Sequence, residues 1–232
     1  LWSKGVKYVI TIKITKLCTS MKGKSGGGKE KFAYLLCNKC GTLQRNEVVE
    51  NIEDYYPNTY YAFQKNIKYS KKLRILLKKM IGFFIIHSSL PISIRNYLIG
   101  SKFQFVNALC GTHLSTKSKI LDVGCGNGKW LHELYEIGFM NLTGVDLFAV
   151  PVTNEFEFIQ GTLTDIENET YDCIALHHSF EHMDNPDEIL DKIHSLLEEN
   201  GICILRIPIM GKYAWKKFRN SWYQIDAPRH SF

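Results

Sequence analysis

The stretch Ile120-Leu121-Asp122-Val123-Gly124-Cys125-Gly126-Asn127-Gly128 constrains the fold of this chain more than any other. A short apolar run ends in an acid and opens into three glycines at alternate positions. Glycines in such a loop let the backbone turn tightly and approach a ligand with no side chain between. Lys129 to Tyr135 then reads as helix, with Trp130, Leu131 and Leu134 on one side. Strand, glycine loop and helix together form a nucleotide-type cofactor site at the carboxyl edge of a parallel sheet.

The spacing discriminates among cofactors. A dinucleotide fingerprint would require glycine at position 129, where Lys129 stands. The acid Asp122, two residues before the first glycine, opposes a pyrophosphate and suits a cationic ligand. A second acid, Asp146, closes the next apolar run Leu142-Thr143-Gly144-Val145, about 20 residues past the loop, where such folds hydrogen-bond ribose hydroxyls. The alternative for either Asp is a helix cap or turn former.

Further strand candidates are 156–160, Tyr171 to Leu176 and Ile202 to Ile207. Asn185-Pro186-Asp187-Glu188 has the composition of a helix start, with Asn as cap and acids at the positive end of the dipole. Ile189, Leu190, Ile193, Leu196 and Leu197 form its apolar face, and Gly201 is expected to stop it. Strands alternating with helices imply an α/β fold with a mostly parallel sheet and right-handed crossovers.

With these residues in place, the chain resembles the class I S-adenosylmethionine-dependent methyltransferases. The matching segments are ILDVGCGNG (120–128), LTGVDL (142–147), YDCIALHHSFEHMDNPDEIL (171–190) and GICILRIP (201–208), within roughly residues 117–232. The resemblance implies a Rossmann-like three-layer sandwich and S-adenosyl-L-methionine as cofactor. It implies that Asp122, Gly124, Cys125 and Gly126 contact the cofactor from the loop and that Asp146 binds its ribose. Leu147, Thr162, Leu163 and His177 complete the implied cofactor wall. One departure stands out: where the family often has Gly-Asp after the third strand, this chain has Gly161-Thr162, with Asp165 three residues later.

The candidate chemistry follows the fourth strand, in His177-His178-Ser179-Phe180-Glu181-His182. Methyl transfer from a sulfonium is an in-line displacement, helped mostly by positioning and a dry pocket. A base contributes when the acceptor is a hydroxyl, an amine or an acidic carbon, and histidine titrates in the right range. His178, Glu181, His182 and, in the tail, His230 are the catalytic candidates; bracing of the next helix is the competing role for Glu181 and His182. The H-x-x-E-H order of 178–182 also matches a metalloprotease pattern, which needs a helix interior and not the end of a strand. Some quinone O-methyltransferases carry E-x-x-E-H here with a divalent metal. His178 replaces the first acid, which disfavours a hard cation.

The tail Trp222-Tyr223-Gln224-Ile225-Asp226-Ala227-Pro228-Arg229-His230 resembles a stretch in one methyltransferase branch associated with polysaccharide or secondary-metabolite synthesis. Arg229, with its planar fork, and Tyr223 are the substrate-binding candidates; a surface loop with a buried Trp and Tyr is the alternative. The chain stops at Phe232, so the antiparallel strand pair that ends such folds is expected to be lacking. Leu1 in place of Met reads as a fragment or shortened gene product.

The amino-terminal part divides into a small appendage, 1–64, and a helical cover, 65–116, ahead of the 117–232 cofactor domain. Residues 6–18 alternate like a strand, and 22–31 read as a flexible loop whose near-match to a phosphate loop fails at Glu30. Cys37-Asn38-Lys39-Cys40-Gly41 has the shape of a zinc knuckle, and Cys18 is an upstream third ligand. Met21 stands where a fourth thiol would belong, so an incomplete ribbon is expected, with structural zinc as the candidate metal. Tyr55, Tyr56, Tyr60, Tyr61 and Phe63 form an aromatic cluster expected to pack against the domain. Residues 65–80 are a basic amphipathic helix candidate.

Seven cysteines, an odd number, lie in predicted strands and loops, and no signal peptide or membrane span is read; a cytoplasmic setting follows. The net charge of +6 favours an anionic small-molecule substrate, and no nucleic-acid motif accompanies it. The expected activity is methylation of a small molecule, a sugar or nucleotide-linked sugar foremost. A quinone- or phenol-type O-methyltransferase is the nearest enzyme alternative, and a truncated inactive partner-binding domain the alternative of another class.

Overall fold

A computed structural model of the chain describes residues 19–22, 31–37, 41–56, 76–77, 79–80, 82, 109, 112–149, 154–209, 212–218 and 222–232. The strand expected over 6–18, the loop 23–30, Cys18, Cys40, Tyr60, Tyr61, Phe63 and most of the 65–80 helix lie outside the described residues. The chain groups into two compact units, one of residues 1–57 with 208–232, the other of 58–207. Residues 208–232, assigned from sequence to the cofactor domain, thus group with the amino-terminal segment.

The larger unit is built on a parallel sheet of five strands: β4 (Lys119–Val123), β5 (Asn141–Asp146), β6 (Glu157–Gln160), β7 (Tyr171–His177) and β8 (Leu197–Arg206), in the order β6-β5-β4-β7-β8. This is the parallel sheet expected from the alternating pattern, in the Rossmann-like arrangement that the family resemblance implies. Its central strand is β4, which lies between β5 and β7 and is buried on both faces from Ile120 to Val123, as in a sheet covered on both sides. Strand order reverses between β4 and β7, and the crevice outside their carboxyl ends is where such sheets bind ligands. Helix α1 (Lys129–Glu136) follows the glycine loop and buries Trp130, Leu131 and Leu134 in a core shared with Ile120, Leu142, Phe156 and Cys173.

The second helix, α2 (Pro186–Leu196), begins as expected with Pro186 in its first turn and Asp187 and Glu188 at its positive end. Two details differ from the sequence reading. The Asn185 side chain caps no backbone amide; its amide reaches Glu188 Oε2 at 3.3 Å, a contact between exposed groups. The helix also ends at Leu196, not at Gly201: Leu197 is already extended and pairs with Tyr171 of β7. Between the Tyr171 and Cys173 pairings, β7 advances two residues while β8 advances five, from Leu197 to Ile202. Gly201 serves this bulge, since a Cβ there would lie 3.0 Å from the Glu198 carbonyl oxygen. Pairing with β7 has overridden the local helical pattern.

The smaller unit holds a three-stranded antiparallel sheet, β1 (Thr19–Lys22), β2 (Lys31–Leu36) and β3 (Leu43–Arg45), in sequential order. Gly41, with φ of +77°, closes the turn after β2: its N–H donates to the Cys37 carbonyl at 2.8 Å, and the Cys37 N–H donates to the Thr42 carbonyl at 2.8 Å. Cys37 is buried there. The carboxyl-terminal segment packs on this sheet, with Trp222, Ile225 and Ala227 meeting Tyr34 and Leu43 in one apolar cluster. Its backbone is tied down by three bonds, from Tyr34 Oη to the His230 carbonyl (2.9 Å), from Arg45 Nη1 to the Pro228 carbonyl (2.7 Å) and from the Arg45 N–H to the Ser231 carbonyl (2.8 Å). Helix α3 (Lys212–Phe218) precedes this tail. Tyr55 packs edge-on against Phe32 of this same unit, not against the cofactor domain as expected from sequence. Among the described residues, no helix is long and apolar enough to cross a membrane.

Candidate active site

The glycine loop lies at the carboxyl end of β4 and takes a conformation that L-residues with side chains resist. Gly124, Gly126 and Gly128 all have positive φ, at 72°, 56° and 76°. A Cβ on Gly124 would come within 2.4 Å of Ser179 Cβ, and one on Gly128 within 2.0 Å of Phe156 Cζ. The first contact brings the loop against the segment after β7. There Ser179 Oγ donates to the Val123 carbonyl at 2.6 Å and fastens the two crevice loops together.

Asp146 organises the loop from the adjacent strand. Its Oδ2 accepts the Gly126 N–H at 2.8 Å, while Oδ1 accepts the Phe148 and Ala149 N–H groups at 2.9 and 2.8 Å. A carboxylate has about four acceptor positions. Three are engaged here, leaving capacity for one ligand hydroxyl. Leu147, the next residue, is 49% exposed at the same edge.

Asp122 is 2% exposed in the centre of the sheet, and its Oδ1 has no hydrogen-bond partner. Burial, reinforced by the nearby Asp146 charge, pushes its pKa up to about 8. A buried carboxyl with an unanswered oxygen is a receptor for positive charge. Cys125, beside it, is also buried, and burial together with the Asp122 and Asp146 charges holds its thiol protonated. The sequence-predicted Asp122, Gly124, Cys125, Gly126 and Asp146 are therefore gathered in one place.

At the end of β6 the structure gives Asp165 a role that the sequence reading did not assign. Thr162 opens a single 3-10 turn, Leu163–Asp165, through a capping box in which Asp165 accepts both the Thr162 N–H (2.7 Å) and its hydroxyl (2.9 Å). These bonds hold the Asp165 carboxyl below its usual range. They also bring Asp165 Oδ2 to 2.6 Å from where a Gly161 Cβ would stand. The acid absent from position 162 is returned to the strand end by Asp165. Leu163 is buried beneath it. The signal was the T-x-x-D spacing itself.

The corner after β7 holds the catalytic candidates. His178 has φ of +57°, rare for a residue of its size, and its N–H donates to the Arg206 carbonyl at 2.8 Å. Its Nδ1 lies 3.3 Å from Oε1 of Glu181, which is 1% exposed on the 3-10 turn Phe180–His182. Burial and the Arg206 charge lower the His178 pKa, so the ring is neutral at pH 7. His182 ends the same turn. His177 stands edge-on to Trp130, with ring centroids 4.5 Å apart, and burial lowers its pKa to about 4.

Arg229, His230 and Tyr223 belong to the smaller unit. The Arg229 guanidinium is paired with Asp226 at 2.5 Å and lies over the Tyr56 ring, with 5.3 Å to its centroid. His230 Nε2 is 3.9 Å from the same carboxylate. Tyr223 begins a 3-10 turn, Tyr223–Ile225.

A family described as "Methyltransferase domain" matches residues 94–231, more than half of the chain. The chain belongs to the class I S-adenosylmethionine-dependent methyltransferase family. It is 29% identical over 101 residues to the ubiquinone biosynthesis O-methyltransferase of Rickettsia typhi (strain ATCC VR-144 / Wilmington), covering 39% of this chain and 41% of that protein. It is 28% identical over 134 residues to the protein of the same name from Rickettsia akari (strain Hartford), covering 53% and 51%. The chain thus spans about half or less of the length of these curated relatives. Among solved structures it is similar to the plantazolicin methyltransferase BpumL in complex with a pentazolic desmethylPZN analog and SAH, at 19% identity and a TM-score of 0.42 over 66% of this chain and 68% of that one.

The residues present fit the family's cofactor. The orphaned Asp122 oxygen answers a cation, Asp146 retains an acceptor position for a hydroxyl, and the Gly124 and Gly128 surfaces are closed to any side chain.

Proposed function

We propose that this methyltransferase binds S-adenosyl-L-methionine at the carboxyl ends of β4, β5 and β6 and methylates a hydroxyl of a small molecule. The observation that carries this reading is the glycine loop locked to Asp146 over a buried, unanswered Asp122 oxygen. Asp122, Gly124, Cys125 and Gly126 frame the amino-acid end of the cofactor. Asp146 takes a ribose hydroxyl, and Leu147, Thr162, Leu163 and Asp165 bound the adenine side. Bound there, the cofactor supplies an electrophilic methyl group on a sulfonium.

The chain's own contribution is a base and a dry corner. His178, neutral at pH 7 and held by Glu181 at Nδ1, accepts the proton of the acceptor hydroxyl at its other ring nitrogen, Nε2. Glu181 then stabilises the imidazolium, and His182 closes the turn that carries it. In the smaller unit, the Arg229 guanidinium is held by Asp226 and the Tyr56 ring, and His230 and Tyr223 share its segment.

The two rickettsial relatives, both O-methyltransferases by name, favour a phenol- or quinone-type hydroxyl over a sugar. Calorimetric titration with S-adenosylmethionine and, separately, NAD tests the cofactor; micromolar binding of the methyl donor alone is expected, and binding of neither ligand defeats the reading. Release of S-adenosylhomocysteine in the presence of catechols, but not of nucleotide-linked sugars, selects the acceptor class. The reverse pattern restores the sugar.

A further inference from the structure

We propose that the Trp130 indole N–H is the hydrogen-bond donor for the carboxylate at the amino-acid end of the cofactor. The inference rests on the cofactor reading above and assigns a role to a residue outside the set expected from sequence.

The argument is an accounting of donors. An amino-acid end carries an ammonium and a carboxylate. Asp122 answers the first; the second needs N–H groups, and the glycine loop is the nearest source. Most of its amides are already committed. The Gly124 and Cys125 N–H groups donate to the Val145 carbonyl (2.8 and 3.2 Å), and Gly126 donates to Asp146 (2.8 Å). Gly128 donates to the Cys125 carbonyl (3.0 Å), and Lys129 to the Asn127 side chain (3.1 Å). Five loop amides are spent within the protein.

One donor close by is not. Trp130 is the second residue of α1, directly after the loop. It is 7% exposed, and its Nε1 is buried with no hydrogen-bond partner. Orphaned buried donors are rare in folded proteins and call for a specific explanation. The ring position is fixed: its T-shaped contact with His177, the last residue of β7, sets it at the carboxyl edge between the two crevice loops. A neutral donor in a dry wall also suits a carboxylate here, because it adds no positive charge to compete with the ammonium for Asp122.

The test compares two ligands that differ only at the amino-acid end, S-adenosylhomocysteine and 5′-methylthioadenosine, against the wild-type chain and Trp130→Phe. The variant is expected to lose about tenfold or more in affinity for S-adenosylhomocysteine, as for a lost hydrogen bond to a charged group, and to bind 5′-methylthioadenosine unchanged. In the wild-type chain labelled with 15N at its four indoles, one Nε1–H resonance is expected to move downfield with S-adenosylhomocysteine and not with 5′-methylthioadenosine. Trp130→Phe identifies that resonance; if it fails to fold, Phe variants at Trp2, Trp215 and Trp222 identify it by elimination. Unchanged S-adenosylhomocysteine affinity, equal losses for both ligands, or an unmoved resonance overturns the proposal while leaving the cofactor reading intact. A wild-type chain that binds neither ligand overturns both.

Discussion

The buried Asp122 makes the stability of the parallel-sheet unit depend on pH in a direction opposite to that of most carboxylates. Its pKa is about 8 in the folded chain, against 3.8 for the free side chain, with burial the larger cause and Asp146 the second. The folded state holds the proton more tightly than the unfolded one. Stability is therefore greatest below the unfolded value, falls as pH rises from about 4, and levels off above about 8. At about 1.4 kcal/mol per unit, the full loss approaches about 6 kcal/mol, of which about 4 kcal/mol is present at pH 7. Asp122→Asn keeps the shape and removes the charge. Urea unfolding followed by far-UV circular dichroism at pH 5, 6, 7 and 8 should show the variant gaining on the wild type by up to about 4 kcal/mol across that range. A difference that stays constant with pH, or that shrinks as pH rises, would refute the reasoning. The same charge predicts proton release when a cationic ligand binds, because an ion pair lowers the pKa of Asp122. Calorimetry in buffers of different ionisation enthalpy reads that release directly.

Three other perturbations address separate parts of the molecule. Gly128→Ala would force a side chain into φ +76° with its Cβ 2.0 Å from Phe156 Cζ; a loss of about 2 kcal/mol or more is expected, seen as a melting point lower by about 5 °C or more. His178→Gln should lower kcat by about 100-fold or more with little change in cofactor affinity. Because the His178 pKa is lowered, the acid limb of the wild-type pH–rate profile should lie below pH 6.5, and a limb above 7 would exclude this base. Tyr34→Phe removes the 2.9 Å bond to the His230 carbonyl, which should cost about 1–3 kcal/mol in the smaller unit and speed limited proteolysis after Arg229.

The parts of the fold legible in the sequence were those whose chemistry is local. Each parallel strand showed itself as an apolar run closed by a polar or glycine residue, and the observed bounds of β4, β5, β6 and β7 fall within a residue of those expected. The glycine loop was legible for the same reason, since its three positive-φ positions are set by neighbours one or two residues away. The end of α2 was not, because the competing force is pairing with β7, more than 20 residues earlier in the chain. Gly201, which by sequence marks a helix stop, serves a bulge in β8 instead.

The candidate site divides along the same line. Asp122 and Asp146 were found by spacing, but which of their oxygens remain available depends on amides brought in by tertiary structure. Asp146 spends three acceptor positions on the loop it was expected only to accompany. Trp130 read as core because its helical phase is apolar, and most of its ring is indeed packed there; only the hydrogen-bond accounting of the folded loop separates its N–H from the rest of that face. The Arg229 segment shows the limit most plainly. Its motif suggested substrate contact, yet its backbone is held by Tyr34 and Arg45, more than 180 residues away in sequence. A motif can be recognised from its letters, but whether its arginine is free to grip a ligand is decided by Asp226 and Tyr56, which already hold the guanidinium from two sides.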